Sequence, residues 1–189
     1  MNKNFLFISS LLLFLLLVLS GAYVADKSQR QEKESAVEVN WMSFEEALEK
    51  SKVEKRKIFI DVYTDWCGWC KVMDKKTFSE ATIANYLNRH YYPVKFNAEQ
   101  TEDIEFRDHT FKFIPSGRRG YHELAAVLLQ NKLSYPTVVF LDEDFNLIQP
   151  LPGYRNAKAF HPILTFFGQD QYKIMKWDEF QTQYESPYN

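Results

Sequence analysis

A chain of 189 residues is long enough for one domain with an appendage, but not comfortably for two domains. Its formal net charge of −2 gives no reason to expect nucleic-acid binding. Apolar residues make up 46% of the chain and aromatic residues 16%, which indicates a well-filled core and excludes extensive disorder away from the ends.

The N-terminal 25 residues differ in composition from the rest of the chain. Lys3 supplies a positive start, residues 5–19 are apolar except for Ser9 and Ser10, and Ser20-Gly21-Ala22 places small residues before a cleavage point. This layout is typical of a secretory signal peptide. The alternative is an uncleaved membrane anchor, because residues 5–24 provide about the 20 residues that a spanning helix needs. Both alternatives predict that the folded part is exported, to the periplasm or cell envelope.

Residues 26–40 are charged and polar, and we interpret them as a flexible lead-in to a folded domain over residues 41–189. Ser43 and Glu46 have the spacing of a capping box, which predicts a helix start. The mixed charges of residues 52–57 indicate a solvated turn. Residues 58–63 are apolar apart from Asp61 and predict a buried strand, where a carboxylate is costly.

Cys67 and Cys70 are the only cysteines in the sequence and directly follow this strand. A C-x-x-C pair where a strand meets a helix suits a dithiol/disulfide switch, because free N–H groups at the helix start stabilise the thiolate of the first cysteine. A structural disulfide is a poor explanation, since so short a loop adds little stability. A zinc site is also poorly supported, because the sequence has no second C-x-x-C and no His pair at ligand spacing. We therefore predict no metal.

The rest of the chain alternates between helical and strand patterns. Helices are predicted over 71–76, 79–89, 120–130, 156–167 and 177–184, and strands over 92–97, 137–142 and 147–149. The last two strands are separated by a turn at 143–146 and predict a hairpin. This order indicates an α/β domain with about four central strands.

Two segments carry a resemblance to a known family. Residues 61–71, which include Trp66-Cys67-Gly68-Trp69-Cys70, resemble the active-site segment of the thioredoxin superfamily. Tyr135-Pro136-Thr137 resembles the segment around the cis-proline of that family, and Gly153 matches a later family glycine. The match covers residues 41–167, and within the family the chain resembles in particular exported bacterial thioredoxin-like proteins. It implies a thioredoxin fold: a mixed sheet of four or five strands flanked by helices, with a helical insertion at about 103–134, before the cis-proline strand.

The resemblance assigns roles to the residues of the motif. It implies that Cys67 is the nucleophile, that Cys70 is the deeper resolving thiol, and that Asp61 exchanges a proton with Cys70. The alternative for Asp61 is a strand-end carboxylate paired with a lysine. Lys95 matches a family lysine near that aspartate, although a solvent-facing strand lysine is an equal alternative.

The same resemblance implies a substrate-binding surface around the cysteines. Pro136 would have a cis peptide bond facing the disulfide, and Tyr135 departs from the smaller residue usual before it. Trp66 would shield the disulfide or pack in the core. The Gly68-Trp69 dipeptide matches neither thioredoxin nor the isomerases, so the direction of electron flow stays open.

The resulting prediction is a thiol:disulfide oxidoreductase in the cell envelope, acting on protein disulfides and favouring reduction. A disulfide oxidase or isomerase, or a binding module with a vestigial cysteine pair, remains an alternative. No cofactor is predicted, since the sequence has no flavin or nicotinamide motif, and a membrane or envelope redox partner is expected to recycle the dithiol.

The Arg118-Arg119 pair could orient an acidic partner or lie in a solvated turn. The four histidines are predicted to be surface or hydrogen-bonded residues: His90, His109, His122 and His161.

Overall fold

A four-stranded mixed sheet organises residues 37–188, the part of the chain that this computed structural model describes. The predicted leader and most of the lead-in lie outside the described residues. Within residues 37–188, no helix has both the length and the hydrophobicity needed to cross a membrane.

The strands are β1 (Lys57–Tyr63), β2 (Tyr91–Asn97), β3 (Ile104–Phe106), β4 (His109–Phe111), β5 (Phe113–Ser116), β6 (Arg119–His122), β7 (Thr137–Leu141) and β8 (Leu147–Pro152). The helices are α1 (Phe44–Val53), α2 (Gly68–Met73), α3 (Ala81–His90), α4 (Glu123–Leu128), α5 (Ala157–Gly168), α6 (Gln171–Ile174) and α7 (Trp177–Gln183). A π-helical turn, Asp74–Phe78, continues directly from α2.

The central sheet has the strand order β2-β1-β7-β8. β1 and β2 are parallel, whereas β7 runs antiparallel to both β1 and β8. β1 therefore lies inside the sheet with a neighbour on each side, which explains why its sequence is almost continuously apolar. The predicted α/β class and thioredoxin fold are confirmed, with four strands in the central sheet.

The side chains of β1 alternate between two buried layers, as the pleat of a strand requires. Ile58, Ile60 and Val62 pack in one core with Phe44 of α1. Phe59 points the other way into an aromatic layer, and Asp61, two residues along, shares that face. The strand therefore places a carboxylate on the same side as the cysteine-bearing helix.

The start of α1 is set by hydrogen bonds between neighbouring residues. Ser43 Oγ accepts the backbone N–H of Glu46 at 3.1 Å, and Glu46 Oε2 accepts the backbone N–H of Ser43 at 2.7 Å. The predicted capping box is confirmed.

The predicted helical insertion at 103–134 is wrong for most of its length. Residues 104–122 form two β-hairpins, β3-β4 and β5-β6, and only α4 is helical. Turn geometry explains the difference, because Arg107 and Gly117 have left-handed φ values of 56° and 60° between the paired strands. Gly120 also lacks space for a Cβ atom, which would lie 2.6 Å from the carbonyl oxygen of Ile114.

The predicted solvated turn at 52–57 is also wrong at both ends, because Lys52 and Val53 belong to α1 and Lys57 belongs to β1. Lys57 begins β1 and is only 4% exposed. Its Nζ lies 2.6 Å from Glu143 and 2.9 Å from Asp170, two carboxylates distant in sequence. Burial opposes the charge on Lys57, but hydrogen bonds to the two carboxylates raise its pKa above the ordinary value.

Lys57→Met is expected to lower the free energy of unfolding by about 1–3 kcal/mol, because it leaves two carboxylates without their shared cation. Lys55→Met provides the matched control, since the Lys55–Asp144 pair is exposed on both sides and is expected to contribute less than about 1 kcal/mol. Denaturant unfolding of both variants measures the difference. Equal losses in the two variants would contradict a structural role for the buried lysine.

Candidate active site

The two cysteines lie at the junction of β1 and α2, bonded to each other. Their sulfurs are 2.04 Å apart and their Cα atoms 5.3 Å apart. Cys67 occupies the N-cap of α2, and the backbone N–H of Cys70 donates to Cys67 Sγ at 3.1 Å. Both residues are largely buried, with Cys67 5% and Cys70 2% exposed. The helix terminus therefore supplies a hydrogen-bond donor to the sulfur that the sequence predicts to be the nucleophile.

Asp61 is buried on the neighbouring strand and is 1% exposed. Its Oδ2 accepts a hydrogen bond from Lys95 Nζ at 2.6 Å, whereas Oδ1 has no hydrogen-bond partner among residues 37–188. Burial raises the pKa of Asp61 to about 6, although the charge and hydrogen bond of Lys95 counteract this rise. Asp61 is thus a buried carboxyl group able to exchange a proton near neutral pH.

Lys95 does not project into solvent, because its side chain is 21% exposed and contacts two carboxylates. It pairs with Asp61 and also with Asp74, at the start of the π-helical turn. Its Nζ lies 4.9 Å from the ring centre of Tyr63 and 5.1 Å from that of Trp41. Burial disfavours its charge, but the two carboxylates outweigh that effect and raise its pKa. The Asp61–Lys95 pair stands in mid-strand, in register between β1 and β2.

Asp74 is a member of this cluster that sequence analysis missed. It follows Cys70 by four residues, so both project from the same face of the helix. The four-residue spacing from Cys70 could have identified Asp74 as a site residue. No local pattern indicates that Lys95, on another strand, reaches the same point. Asp74 also raises the pKa of Asp61 through its negative charge.

The two tryptophans next to the cysteines in the sequence are exposed at the surface. Trp66 is 52% exposed, so the core-packing alternative is wrong. Its ring meets Tyr135 edge-on at 5.9 Å, and its indole N–H donates to Glu99 Oε2 at 2.9 Å. Trp69 is 61% exposed and lies 5.4 Å from the ring of Tyr154.

The backbone near Pro136 also reaches this surface. The Tyr135–Pro136 peptide bond is cis, and the carbonyl of Pro136 accepts the N–H of Gly153 at 2.8 Å. Thr137, the next residue, pairs with Val62 of β1, which brings this segment beside the cysteine-bearing loop. A Cβ atom at Gly68 would meet no described atom within 4 Å, so space is open beside Cys67.

The insertion contributes to the site through its second hairpin. Arg119 of β6 places its guanidinium 4.4 Å from the ring centre of Trp66.

His122, at the end of the same strand, is buried and forms a hydrogen bond with the carbonyl oxygen of Glu102, as predicted for a hydrogen-bonded histidine. Within residues 37–188, no cluster of three or more His, Cys, Asp or Glu side chains has an arrangement suited to a metal ion.

Comparison with known proteins gives matches over much of the chain. Residues 22–148 match the family Thioredox_DsbH, described as "Protein of unknown function, DUF255". An uncharacterized protein of Caenorhabditis elegans is 30% identical over 84 residues, or 44% of this chain. The thiol:disulfide interchange protein DsbD of Pectobacterium atrosepticum is 28% identical over 123 residues, or 64% of this chain. The aligned part covers only 12% and 18% of those two proteins.

A solved structure named DsbH Oxidoreductase superposes with a TM-score of 0.51 at 20% sequence identity. The superposition covers 71% of this chain and 88% of that one. This likeness supports the thioredoxin-like fold.

Proposed function

We propose that this chain, which belongs to the Thioredox_DsbH family of thioredoxin-like proteins, is a thiol:disulfide oxidoreductase that favours the reduction of protein disulfides. The observation that carries the proposal is the Cys67–Cys70 pair at the N-terminus of α2, with Asp61 buried on the adjoining strand. The DsbD relative is named as a thiol:disulfide interchange protein, which agrees with this chemistry.

In the proposed reaction, the Cys67 thiolate attacks one sulfur of a client disulfide. A bond forms between Cys67 and that sulfur, and the other client sulfur leaves as a thiolate that takes a proton from solvent. Asp61, as a carboxylate, accepts the proton of the Cys70 thiol. The Cys70 thiolate then attacks Cys67, which forms the intramolecular disulfide and releases the second client thiolate. Two electrons pass to the client, and the protein ends oxidised.

The surroundings of the disulfide suggest how a client chain is held. The open space at Gly68 and the exposed side chains of Trp66 and Trp69 lie next to Cys67 in the sequence, and we infer that a client chain binds there. The ring of Tyr135 meets Trp66 edge-on, and we infer that the backbone of Tyr135, preceding Pro136, pairs with the client main chain. We infer that Lys95 keeps Asp61 oriented and limits the rise of its pKa.

Regeneration requires an external electron donor, for which we propose a membrane or envelope redox partner. The proposed location is the periplasm or cell envelope, with residues 1–25 as a signal peptide or inner-membrane anchor and residues 26–40 as a lead-in. These proposals depend on the leader in the sequence.

Trapping a mixed disulfide tests the mechanism. Cys70→Ser is expected to accumulate client proteins bound covalently through Cys67, because the resolving thiol is absent. Cys67→Ser provides the matched control and should trap no client. The adducts are detected by non-reducing electrophoresis and mass spectrometry. Recovery of equal adducts from both variants, or of none from either under conditions that trap a related thioredoxin-fold domain, would overturn the proposed function.

The direction of electron flow is tested separately. Equilibration of the Cys67–Cys70 couple with glutathione buffers measures its reduction potential. A potential well below that of glutathione is expected for the reductase, and a potential well above it would favour the oxidase or isomerase. If Cys67→Ser leaves the cellular phenotype intact, the binding-module alternative is favoured instead.

A further inference from the structure

The second hairpin of the insertion carries a positive side chain to Trp66, the neighbour of Cys67 in the sequence. In β5-β6, Ser116 pairs with Arg119 across the turn. Arg119 then lies over the ring of Trp66, the residue immediately before Cys67, at 4.4 Å. A segment remote in sequence from the C-x-x-C motif therefore forms part of the surface that a client would contact.

The hairpin holds this position because its base is pinned to the central sheet. The backbone N–H of His122 donates to the carbonyl of Ala98, just after β2, at 2.6 Å. The buried His122 ring forms a second contact, between Nε2 and Glu102 O at 3.1 Å. At Gly120, the Phe113 ring packs directly against the backbone of β6. Arg119 is thus presented by a packed strand pair.

Within residues 37–188, Arg119 lies on the ring of Trp66 and neither it nor Arg118 forms an ion pair with a carboxylate within 4.0 Å. The nearby carboxylate of Glu99 accepts the indole N–H of Trp66 instead. A guanidinium stacked on an aromatic ring keeps its N–H groups at the edges available for a carboxylate. Arg119 is also exposed, so such a carboxylate can approach from solvent.

We propose that Arg119 is a specificity-determining residue that selects client disulfides with an Asp or Glu close to the attacked cysteine. The client carboxylate binds the edge of the guanidinium, while the adjacent client cysteine lies over Cys67. This inference rests on the proposed function and adds the chemical class of the client segment. The β5-β6 hairpin is then a substrate-reading element of the domain.

Single-turnover reduction of three model peptides tests the inference. Each peptide contains one intramolecular disulfide and differs only in an Asp, Asn or Lys beside the first cysteine. The protein is reduced beforehand with a small dithiol, which is removed, so the Cys67/Cys70 dithiol supplies both electrons. Wild-type protein is expected to reduce the Asp peptide about fivefold faster than the Asn peptide at low salt, as one additional favourable charge contact allows. The preference should shrink at high salt, because mobile ions screen exposed charges.

Substitutions at Arg119 assign the preference to this side chain. Arg119→Gln is expected to reduce the Asp/Asn rate ratio to less than half, Arg119→Lys to retain most of it, and Arg119→Glu to favour the Lys peptide. Arg107→Gln is the matched control: its guanidinium also lies on an aromatic ring, that of Phe106, but contacts the turn at the opposite end of β7. It removes the same charge and should leave the ratio unchanged.

The outcomes separate this inference from the proposed function. An unchanged ratio in Arg119→Gln, or equal slowing of all three peptides, would overturn the selective role while leaving the oxidoreductase intact. An equal loss of preference in Arg107→Gln would also overturn it, because net charge would then explain the effect. If the wild type reduces none of the peptides, both proposals fail. Thermal unfolding of each variant verifies that altered ratios come from folded protein.

Discussion

Asp61→Asn is expected to slow the second step of disulfide exchange, the attack of Cys70 on Cys67, about 100-fold at pH 7, because asparagine cannot accept the thiol proton. Asp61 suits this role through its burial and its pKa of about 6. The mixed disulfide with a neutral peptide should therefore persist in the variant. Quenched-flow separation of free and peptide-bound protein measures the two steps individually.

The dependence of this step on pH distinguishes proton transfer from a structural effect. In the wild type, the rate should fall as the pH decreases through about 6, because Asp61 becomes protonated. The variant should lack that midpoint. Asp144→Asn, at the exposed turn after β7, removes one carboxylate elsewhere and should retain it. A midpoint near 6 that survives in Asp61→Asn would show that another group is the base.

Stability measurements on the same variant provide a further control. Folding raises the pKa of Asp61 above its ordinary value of 3.8, so the folded state holds this proton more tightly than the unfolded state. The contribution of Asp61 to stability therefore decreases as the pH rises from about 4 to 6. Asparagine does not titrate, so the variant should gain on the order of 3 kcal/mol relative to the wild type across that range. A slow but stable Asp61→Asn protein excludes unfolding as the reason for lost activity.

Phe59→Ala is expected to lower the free energy of unfolding by about 3–5 kcal/mol, through lost burial and the cavity that remains. Phe59 is fully buried on the face of β1 that also carries Asp61. Among residues 37–188, five aromatic rings lie within 6.1 Å of its ring centre: Trp41, Phe78, Tyr91, Phe140 and Phe160. The side chain therefore links the sheet to the helical layer behind the active site.

Phe59→Leu is the graded comparison, with an expected loss of about 1–2 kcal/mol, because leucine keeps most of the apolar contact but loses the ring edges. Urea unfolding of both variants gives the two free energies. If Phe59→Ala costs less than about 1.5 kcal/mol, the aromatic layer does not depend on this ring. Disulfide exchange by folded Phe59→Leu should remain close to that of the wild type, since the cysteines are not altered.

Local sequence patterns predicted those features of the fold and the site that depend on neighbouring residues. The capping box of Ser43 and Glu46 and the C-x-x-C pair at the start of a helix are each set by residues within one turn. The isolated carboxylate of Asp61 in an apolar strand also signalled a special environment. For Lys95, the sequence left two equal alternatives, a position near Asp61 or one facing solvent. Only the pairing of β1 with β2 brings Lys95 to Asp61.

The insertion shows the limit of a family resemblance as a signal. The resemblance implied a helical insertion at about 103–134, yet residues 104–122 form two short hairpins. Left-handed turn residues and the close packing at Gly120 decided the outcome, and both depend on contacts between strands. Lys57 is similar: its charged neighbours indicated solvent, whereas the distant Glu143 and Asp170 make burial possible.

The sequence by itself determined the α/β class, the order of the principal strands and helices, and the position of the Cys67/Cys70 pair at the start of a helix, because each depends on residues close together in the chain. Only the tertiary structure decided that Asp74 shares Lys95 with Asp61, and that Arg119 lies over Trp66 beside the disulfide. These contacts join residues 21 to 53 positions apart, so no local pattern encodes them. Sheet register and hairpin packing bring them together, because burial and electrostatic pairing act through space.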